Sequence, residues 1–311
     1  MTTKQVFRDA FTFGHKELTH WFPSHMARSL KKMQATMRKV DCVIEVHDAR
    51  LPFAGRNPAF RDSFGVKPHL LILNKKDLAE MGKSNDIRQQ LQEKEDIRNV
   101  MFTNCLQQNS PSAKKVIPSV LSIIEGSERF NRNEDLEFSI MIVGIPNVGK
   151  SSLINALRRM YIKKGKGAKV GRLPGVTRAL MNRILVSEQP RVWLLDTPGI
   201  TTPYIPNVEV GMKLAMMGTL QDHMVGMDMI ADYILFTLNS MQKFDYVDVY
   251  SLSVPCDSID SVLRDVAVKF GKTRKLRTYE GSRTEVLNLE AAAAIFVRDF
   301  RNGALGRISL D

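Results

Sequence analysis

Apolar runs alternating with helical patterns predict a doubly wound, mostly parallel α/β sheet up to about residue 205. A Gly-x-x-x-x-Gly-Lys-Ser loop lies between one such run and a helical pattern, the setting a phosphate-binding loop requires. Polar motifs follow four of the runs, after Val46, Leu73, Thr103 and Val143. Ligands of doubly wound sheets bind at such carboxyl ends of strands. From about residue 206 the pattern turns helical, which predicts a smaller, mostly helical C-terminal domain.

Elements are expected in this order. Residues 1–20 place Phe7, Phe11, Gly14 and Leu18 on one helical face with Lys4, Arg8 and Lys16 nearby. That suits a mitochondrial presequence, although Asp9 and Glu17 suit an ordinary leading helix as well. Ala27 to Lys39 reads as a helix, with Leu30, Met33 and Met37 at three- and four-residue spacing. Strands are expected at Cys42–Val46, His69–Leu73 and Val100–Thr103. The second is nearly all apolar, as a strand buried on both faces should be. Helices are expected at Asp86–Leu91 and Lys115–Ile124, then a polar loop, then a strand at Phe138–Val143. After the glycine-rich loop comes a helix from Ser152. Strands near 180–186 and 191–195 flank a turn at Glu188–Pro190. Four helices are then expected, at Val210–Leu220, Met229–Leu238, Ser258–Phe270 and Glu290–Arg301.

Composition narrows the class. The 311 residues suit one large or two ordinary domains. Lys and Arg number 45 against 33 Asp and Glu, a formal net charge of +12, which fits a polyanionic partner or an anionic membrane surface. No apolar run approaches the roughly eighteen residues of a membrane span. Cys42, Cys105 and Cys256 have neither metal-ligand nor disulfide spacing, so a reducing compartment is expected.

The loop Gly144-Ile145-Pro146-Asn147-Val148-Gly149-Lys150-Ser151-Ser152 fits the phosphate-loop pattern in full. Its glycines let backbone N–H groups close around phosphate oxygens, and the helix N-terminus adds donors and partial positive charge. Lys150 is expected to reach the β- and γ-phosphates and the Ser151 hydroxyl to hold Mg²⁺. Asn74-Lys75-Lys76-Asp77 directly follows a strand. It resembles the base-reading motif of GTPases, in which Asp77 would accept from guanine N1 and N2 and Asn74 would meet the other edge. Adenine lacks that donor pair, so a guanine nucleotide is expected. Asp196-Thr197-Pro198-Gly199 follows the last strand. Asp196 would hold Mg²⁺ through water, and the Gly199 N–H would meet the γ-phosphate. Thr177 would close over both from the Lys-rich loop 163–169 and its continuation. In standard GTPases the phosphate loop comes first. Here Asn74–Asp77 and Thr103–Cys105 come first, so one fold has been circularly permuted. The chain then leaves the nucleotide domain, residues 21–205, directly after the Asp196–Gly199 switch. It enters the helical domain, residues 206–311.

This permuted order resembles the ribosome biogenesis GTPase A family, over nearly the whole chain. Trp21-Phe22-Pro23-Ser24-His25-Met26, Asp48-Ala49-Arg50-Leu51-Pro52 and Phe300-Arg301-Asn302-Gly303-Ala304-Leu305-Gly306 carry the likeness. Val40 to Arg50 and Phe102-Thr103-Asn104-Cys105 look like the animal mitochondrial branch of that family. The resemblance implies a circularly permuted P-loop GTPase acting in maturation of the large mitoribosomal subunit, in the matrix and peripherally on the inner membrane. Thr103-Asn104-Cys105 replaces the common Ser-Ala-Lys base loop, so Asn104 and Cys105 are expected to meet guanine through backbone atoms.

Ras-like enzymes place a water-orienting Gln after Asp-x-x-Gly. Ile200 stands there and cannot hydrogen-bond water, so slow intrinsic hydrolysis is expected. Asn147 matches a position that helps bind K⁺ in similar GTPases, and a cation there would act as an electrostatic clamp. His25 matches a family histidine proposed to act on the water; a packed histidine near a helix start is the plainer reading. Lys163–Lys169 and Lys269–Arg277 read as RNA-phosphate contacts or as solvated surface. Two other functions share these motifs: a cytosolic or nucleolar permuted GTPase, and an RNA-binding scaffold with negligible turnover.

Overall fold

The computed structural model describes residues 7–13, 36–65, 67–107, 109–127, 135–162, 183–195, 203–277 and 283–311. The chain forms two compact units, Pro23–Tyr204 with Ser309–Asp311, and Met1–Phe22 with Ile205–Ile308.

The first unit is a six-stranded sheet with helices. In chain order it contains β1 (Cys42–Asp48), α1 (Pro58–Phe64), β2 (His69–Asn74), α2 (Ser84–Glu95), β3 (Val100–Phe102), α3 (Pro111–Lys114), α4 (Val116–Glu125), β4 (Glu137–Val143), α5 (Lys150–Tyr161), β5 (Arg183–Glu188) and β6 (Arg191–Leu195). The strand order is β3-β2-β1-β4-β6-β5. Every neighbouring pair is parallel except edge strand β5, which runs antiparallel to β6. The doubly wound, mostly parallel sheet is thus present. From β1 the chain winds outward through β2 and β3, then returns to place β4 on the other side of β1. The crevice between the loops leaving β1 and β4 is therefore the topological switch point, where such sheets bind ligands.

Parallel register puts Val43, Leu71, Leu73, Val100, Phe102, Met141, Val143 and Leu195 on one face. They fall into two apolar clusters, one around Val43, Met141 and Leu195 and one around Leu71, Leu91 and Phe102. Between them β1 places Glu45 and His47 on the same face, both buried. A buried carboxylate survives only when paired. Arg56 supplies the pairing through two hydrogen bonds to Glu45, at 2.8 and 3.1 Å, and reaches Glu95 at 2.9 Å. Burial alone would raise the Glu45 carboxyl, but Arg56 and His69 reverse this and hold it well below the carboxylate range.

The second unit contains α6 (Val208–Met216), α7 (Asp222–Val225), α8 (Met227–Ser240), α9 (Asp245–Tyr250), α10 (Ile259–Lys269), β7 (Thr273–Arg277), β8 (Arg283–Leu287) and α11 (Leu289–Arg301). Asn207, Ser258 and Asn288 cap α6, α10 and α11 by accepting from the N–H three residues on. At the other end of α6, the Arg301 guanidinium donates to the carbonyls of Ala215 and Met216, at 2.7 and 2.9 Å, while pairing with Asp222. It thereby satisfies carbonyls that the helix end leaves over.

One expectation is extended here and one corrected. The expected mostly helical domain also holds one antiparallel hairpin: Thr273–Arg277, within the basic stretch Lys269–Arg277, pairs with β8. The segment 7–13 forms no helix. Phe11 and Phe13 both lie against Tyr233, with ring centroids 5.0 and 6.1 Å away. Side chains two apart share a side in extended backbone but not on a helix. Arg8 fixes that path by bonding both Asp232 and Asp257. The expected helix 27–39 lies largely outside the described residues. No helix among the described residues is long and apolar enough to cross a membrane.

Candidate nucleotide site

The loop after β4 is built by conformation as much as by residue type. Gly144 has φ +146°, and a Cβ there would lie 2.2 Å from the Val46 carbonyl of the adjacent β1. Gly149, the N-cap of α5, has φ +101°. Ile145 and Val148 are buried and anchor the loop, while Asn147 is exposed at φ +61°. The Lys150 ammonium donates to the Gly144 and Ile145 carbonyls, at 2.8 and 2.7 Å. Burial lowers its pKa from 10.5 to about 8. Leu153, Ala156 and Leu157 seat α5 through its apolar stripe. Ser151 is exposed and Ser152 half-buried on its first turn.

Asn74 is the junction of the site. Buried at the end of β2, it donates its amide to the Val148 carbonyl at 3.0 Å. Its Oδ1 accepts from the Thr103 hydroxyl and the Cys105 N–H, both at 3.1 Å. Three loops leaving three strands are thus tied to one side chain. The Lys76 N–H donates to the Thr103 carbonyl at 3.0 Å, a second tie between two of them. The sequence points to Asn74 and Thr103 separately; it carries no signal that they bond to each other.

The remaining base-loop residues divide by role. Asp77 is exposed on the turn after β2. Lys75 adopts φ +59° and pairs with Asp48 at 3.0 Å. Asp48 in turn accepts two side-chain hydrogen bonds from Arg50, at 3.0 and 2.8 Å. Burial alone would raise the Asp48 carboxyl; Arg50 and Lys75 hold it below the carboxylate range. Asn104 spends its Oδ1 on the N–H groups of Leu106 and Gln107. The Cys105 thiol is buried, and burial pushes its pKa up. His25, Thr177, Asp196 and Gly199 lie outside the described residues. Neither the Asp48–Arg50–Lys75 network nor the Arg56–Glu45 pair was foreseen as part of this region, although Asp48 to Pro52 stood out by resemblance.

A glycine-rich loop at the switch point, cross-tied to an Asn-Lys-x-Asp turn that precedes it in sequence, defines a circularly permuted P-loop GTPase. Comparison with known proteins agrees. Residues 139–268 match the family model described as 50S ribosome-binding GTPase. The whole chain is 52% identical to mitochondrial ribosome-associated GTPase 1 of Ictalurus punctatus, spanning 98% of that protein. Over 98% of its length it is 50% identical to the Mus musculus protein of the same name, covering 94% of it. The crystal structure of GNP-bound YlqF from T. maritima superposes with a TM-score of 0.58 at 24% identity, over 91% of this chain and 97% of that one. The chain belongs to the mitochondrial ribosome-associated GTPase 1 family. It is a GTP hydrolase.

P-loop GTPases work with Mg²⁺. Among the described residues Ser151 fits that ion, because it is an exposed hydroxyl-bearing residue directly after Lys150 at the helix start.

Proposed function

We propose that this chain binds the large mitochondrial ribosomal subunit and promotes its assembly, with GTP hydrolysis stimulated by the particle. The observation that supports this most is full-length identity to proteins whose name reads mitochondrial ribosome-associated GTPase 1. The net charge of +12 supports a ribosomal RNA partner, because basic surfaces bind RNA phosphates. In this reading residues 21–205 hold the nucleotide and residues 206–311 contact the particle. Residues 1–20 form an N-terminal extension to these two parts. The protein works in the matrix, peripherally on the inner membrane.

The chemistry follows from residue types. Asp77 and Asn74 read guanine, with Lys75, Lys76 and the backbone of Asn104 and Cys105 completing the base site. Val148, Gly149, Lys150, Ser151 and Ser152 hold the phosphates. Ser151, Thr177 and Asp196 serve Mg²⁺, which neutralises phosphate charge when bound, and Gly199 senses the γ-phosphate. Asn147 helps hold K⁺ and His25 orients the water, since Ile200 cannot.

Co-sedimentation with large subunits in the presence of a non-hydrolysable GTP analogue tests the main claim. Binding stronger than with GDP, weakening with added salt, is expected. Equal binding in both states would overturn it. Equal turnover in Na⁺ and K⁺ would remove the Asn147 role, and full particle-stimulated turnover in H25A would remove that of His25.

A further inference from the structure

The segment Ser309–Asp311 belongs to the sheet unit, although the 104 residues from 205 to 308 belong to the other. Its contacts fall on two loops at the ligand-binding edge. The Leu310 N–H donates to the Arg50 carbonyl at 2.8 Å. One carboxylate oxygen of Asp311 accepts from both the Phe53 and the Ala54 N–H, at 2.7 and 2.9 Å. The buried Ser309 hydroxyl accepts from the Glu80 N–H at 3.2 Å. Phe53 and Ala54 lie in the loop after β1, and Glu80 lies three residues past Asp77 in the loop after β2.

Phe53 and Met81 of those two loops pack against one apolar cluster that includes Ala49 and Ala79, and the loops are joined again near their roots. There the Ala49 N–H meets the Asn74 carbonyl at 2.7 Å, and Asp48 holds both Arg50 and Lys75. The segment therefore closes a ring of contacts: Asn74 to Asp48 at the strand ends, Arg50 to Leu310, Ser309 to Glu80, and back along the turn to Asp77. We propose that Ser309 and Asp311 are positioning residues for guanine binding. They strap the loop after β1 to the loop after β2 and so hold the Asn74–Asp77 turn in its base-reading arrangement. The proposal rests on the reading of that turn as the guanine site.

A loosened strap should shorten the lifetime of bound nucleotide, because release requires the base turn to move while the phosphate loop stays intact. The test uses the full chain carrying S309A and D311A together. Stopped-flow release of fluorescent GDP gives the base-dependent lifetime. Competition by inorganic tripolyphosphate reports the phosphate loop alone. Release faster by roughly tenfold or more is expected, the scale of three lost hydrogen bonds of which two are solvent-exposed. Tripolyphosphate affinity should stay unchanged. D311N, which keeps an acceptor oxygen, should restore most of the lifetime. Unchanged release in the double variant overturns the proposal. So do parallel losses for GDP and tripolyphosphate, which would mark general destabilisation. If the double variant does not fold, S309A and D311A singly give the same reading. D77N separates the premise from the proposal, because an amide donor in place of the carboxylate should favour xanthosine over guanosine diphosphate. If D77N leaves that preference unmoved, the base-site reading fails. If it moves the preference while the strap variants change nothing, the strap alone fails.

Discussion

The Asn74 amide lies 3.0 Å from the Val148 carbonyl and joins two motifs separated by 74 residues. In this permuted chain the base-reading turn is made before the phosphate loop, yet the bond between them sets one against the other. An asparagine suits this junction because it offers donor and acceptor on one short side chain.

Replacing Asn74 with alanine should therefore damage the empty protein as well as its ligand binding. It strands the Thr103 hydroxyl and the Cys105 N–H in a buried place. We expect a loss of about 2–4 kcal/mol in stability without nucleotide, from two or three buried hydrogen bonds. Denaturant unfolding of the nucleotide-free protein measures it; a loss confined to the nucleotide-bound form would contradict it.

Gly149→Ala should be as severe for a different reason. The new Cβ would lie 2.2 Å from the Asn74 Nδ2, and the φ of +101° disfavours any side chain. Asn74 cannot swing away without breaking its other two hydrogen bonds. GDP affinity should fall at least about a hundredfold, as ~3 kcal/mol of strain and lost contacts implies. Calorimetric titration would show it, and near-normal binding would mean that the loop relaxes.

Lys150 gives the site a pH dependence. In the empty protein burial lowers its pKa from 10.5 to about 8. The unfolded chain thus holds this proton between those values while the folded chain has released it, so this lysine makes the empty protein more stable as pH rises through that window. Nucleotide phosphates favour the charged ammonium, so binding above pH 8 takes up a proton. GDP affinity should fall as pH rises from about 8, approaching tenfold per pH unit. K150M should bind weakly and lose this slope.

Arg8→Ala should loosen the segment 7–13 from α8. It removes bonds to Asp232 and Asp257, at 2.8 and 3.1 Å, from a side chain about one third exposed. Solvent screening limits the cost to about 1 kcal/mol. Hydrogen exchange should quicken around Phe11 and Phe13 while the sheet unit stays unchanged; unaltered protection of that segment would argue that its aromatic contacts suffice.

The sheet was legible because parallel strands buried on both faces need nearly continuous apolar runs. Cys42–Val46 and His69–Leu73 are such runs. The phosphate loop was legible because its backbone demands glycine at two spaced positions. The β7–β8 hairpin was not, since Thr273-Arg274-Lys275-Leu276-Arg277 lacks the apolar alternation that marks a half-buried strand. The junction at Asn74 was half legible. Its residue type pointed to the base, but two of its three partners are a backbone carbonyl and a backbone N–H, which residue identity does not encode. The charged core pair Glu45 and Arg56 was hidden for a similar reason, because only the fold shows that an acidic residue in an apolar strand faces inward.

Vectorial synthesis meets an obstacle in the contacts of Arg8. Its acidic partners are 224 and 249 residues further along the chain. Phe7 and Phe11 cannot reach Phe244 and Tyr233 before those residues have been made. The segment 7–13 thus emerges before its partners and can be fully placed only after Asp257 has been made. Contacts of such long sequence separation slow folding, and until they close the early aromatic residues are open to chaperones and to association with other nascent chains.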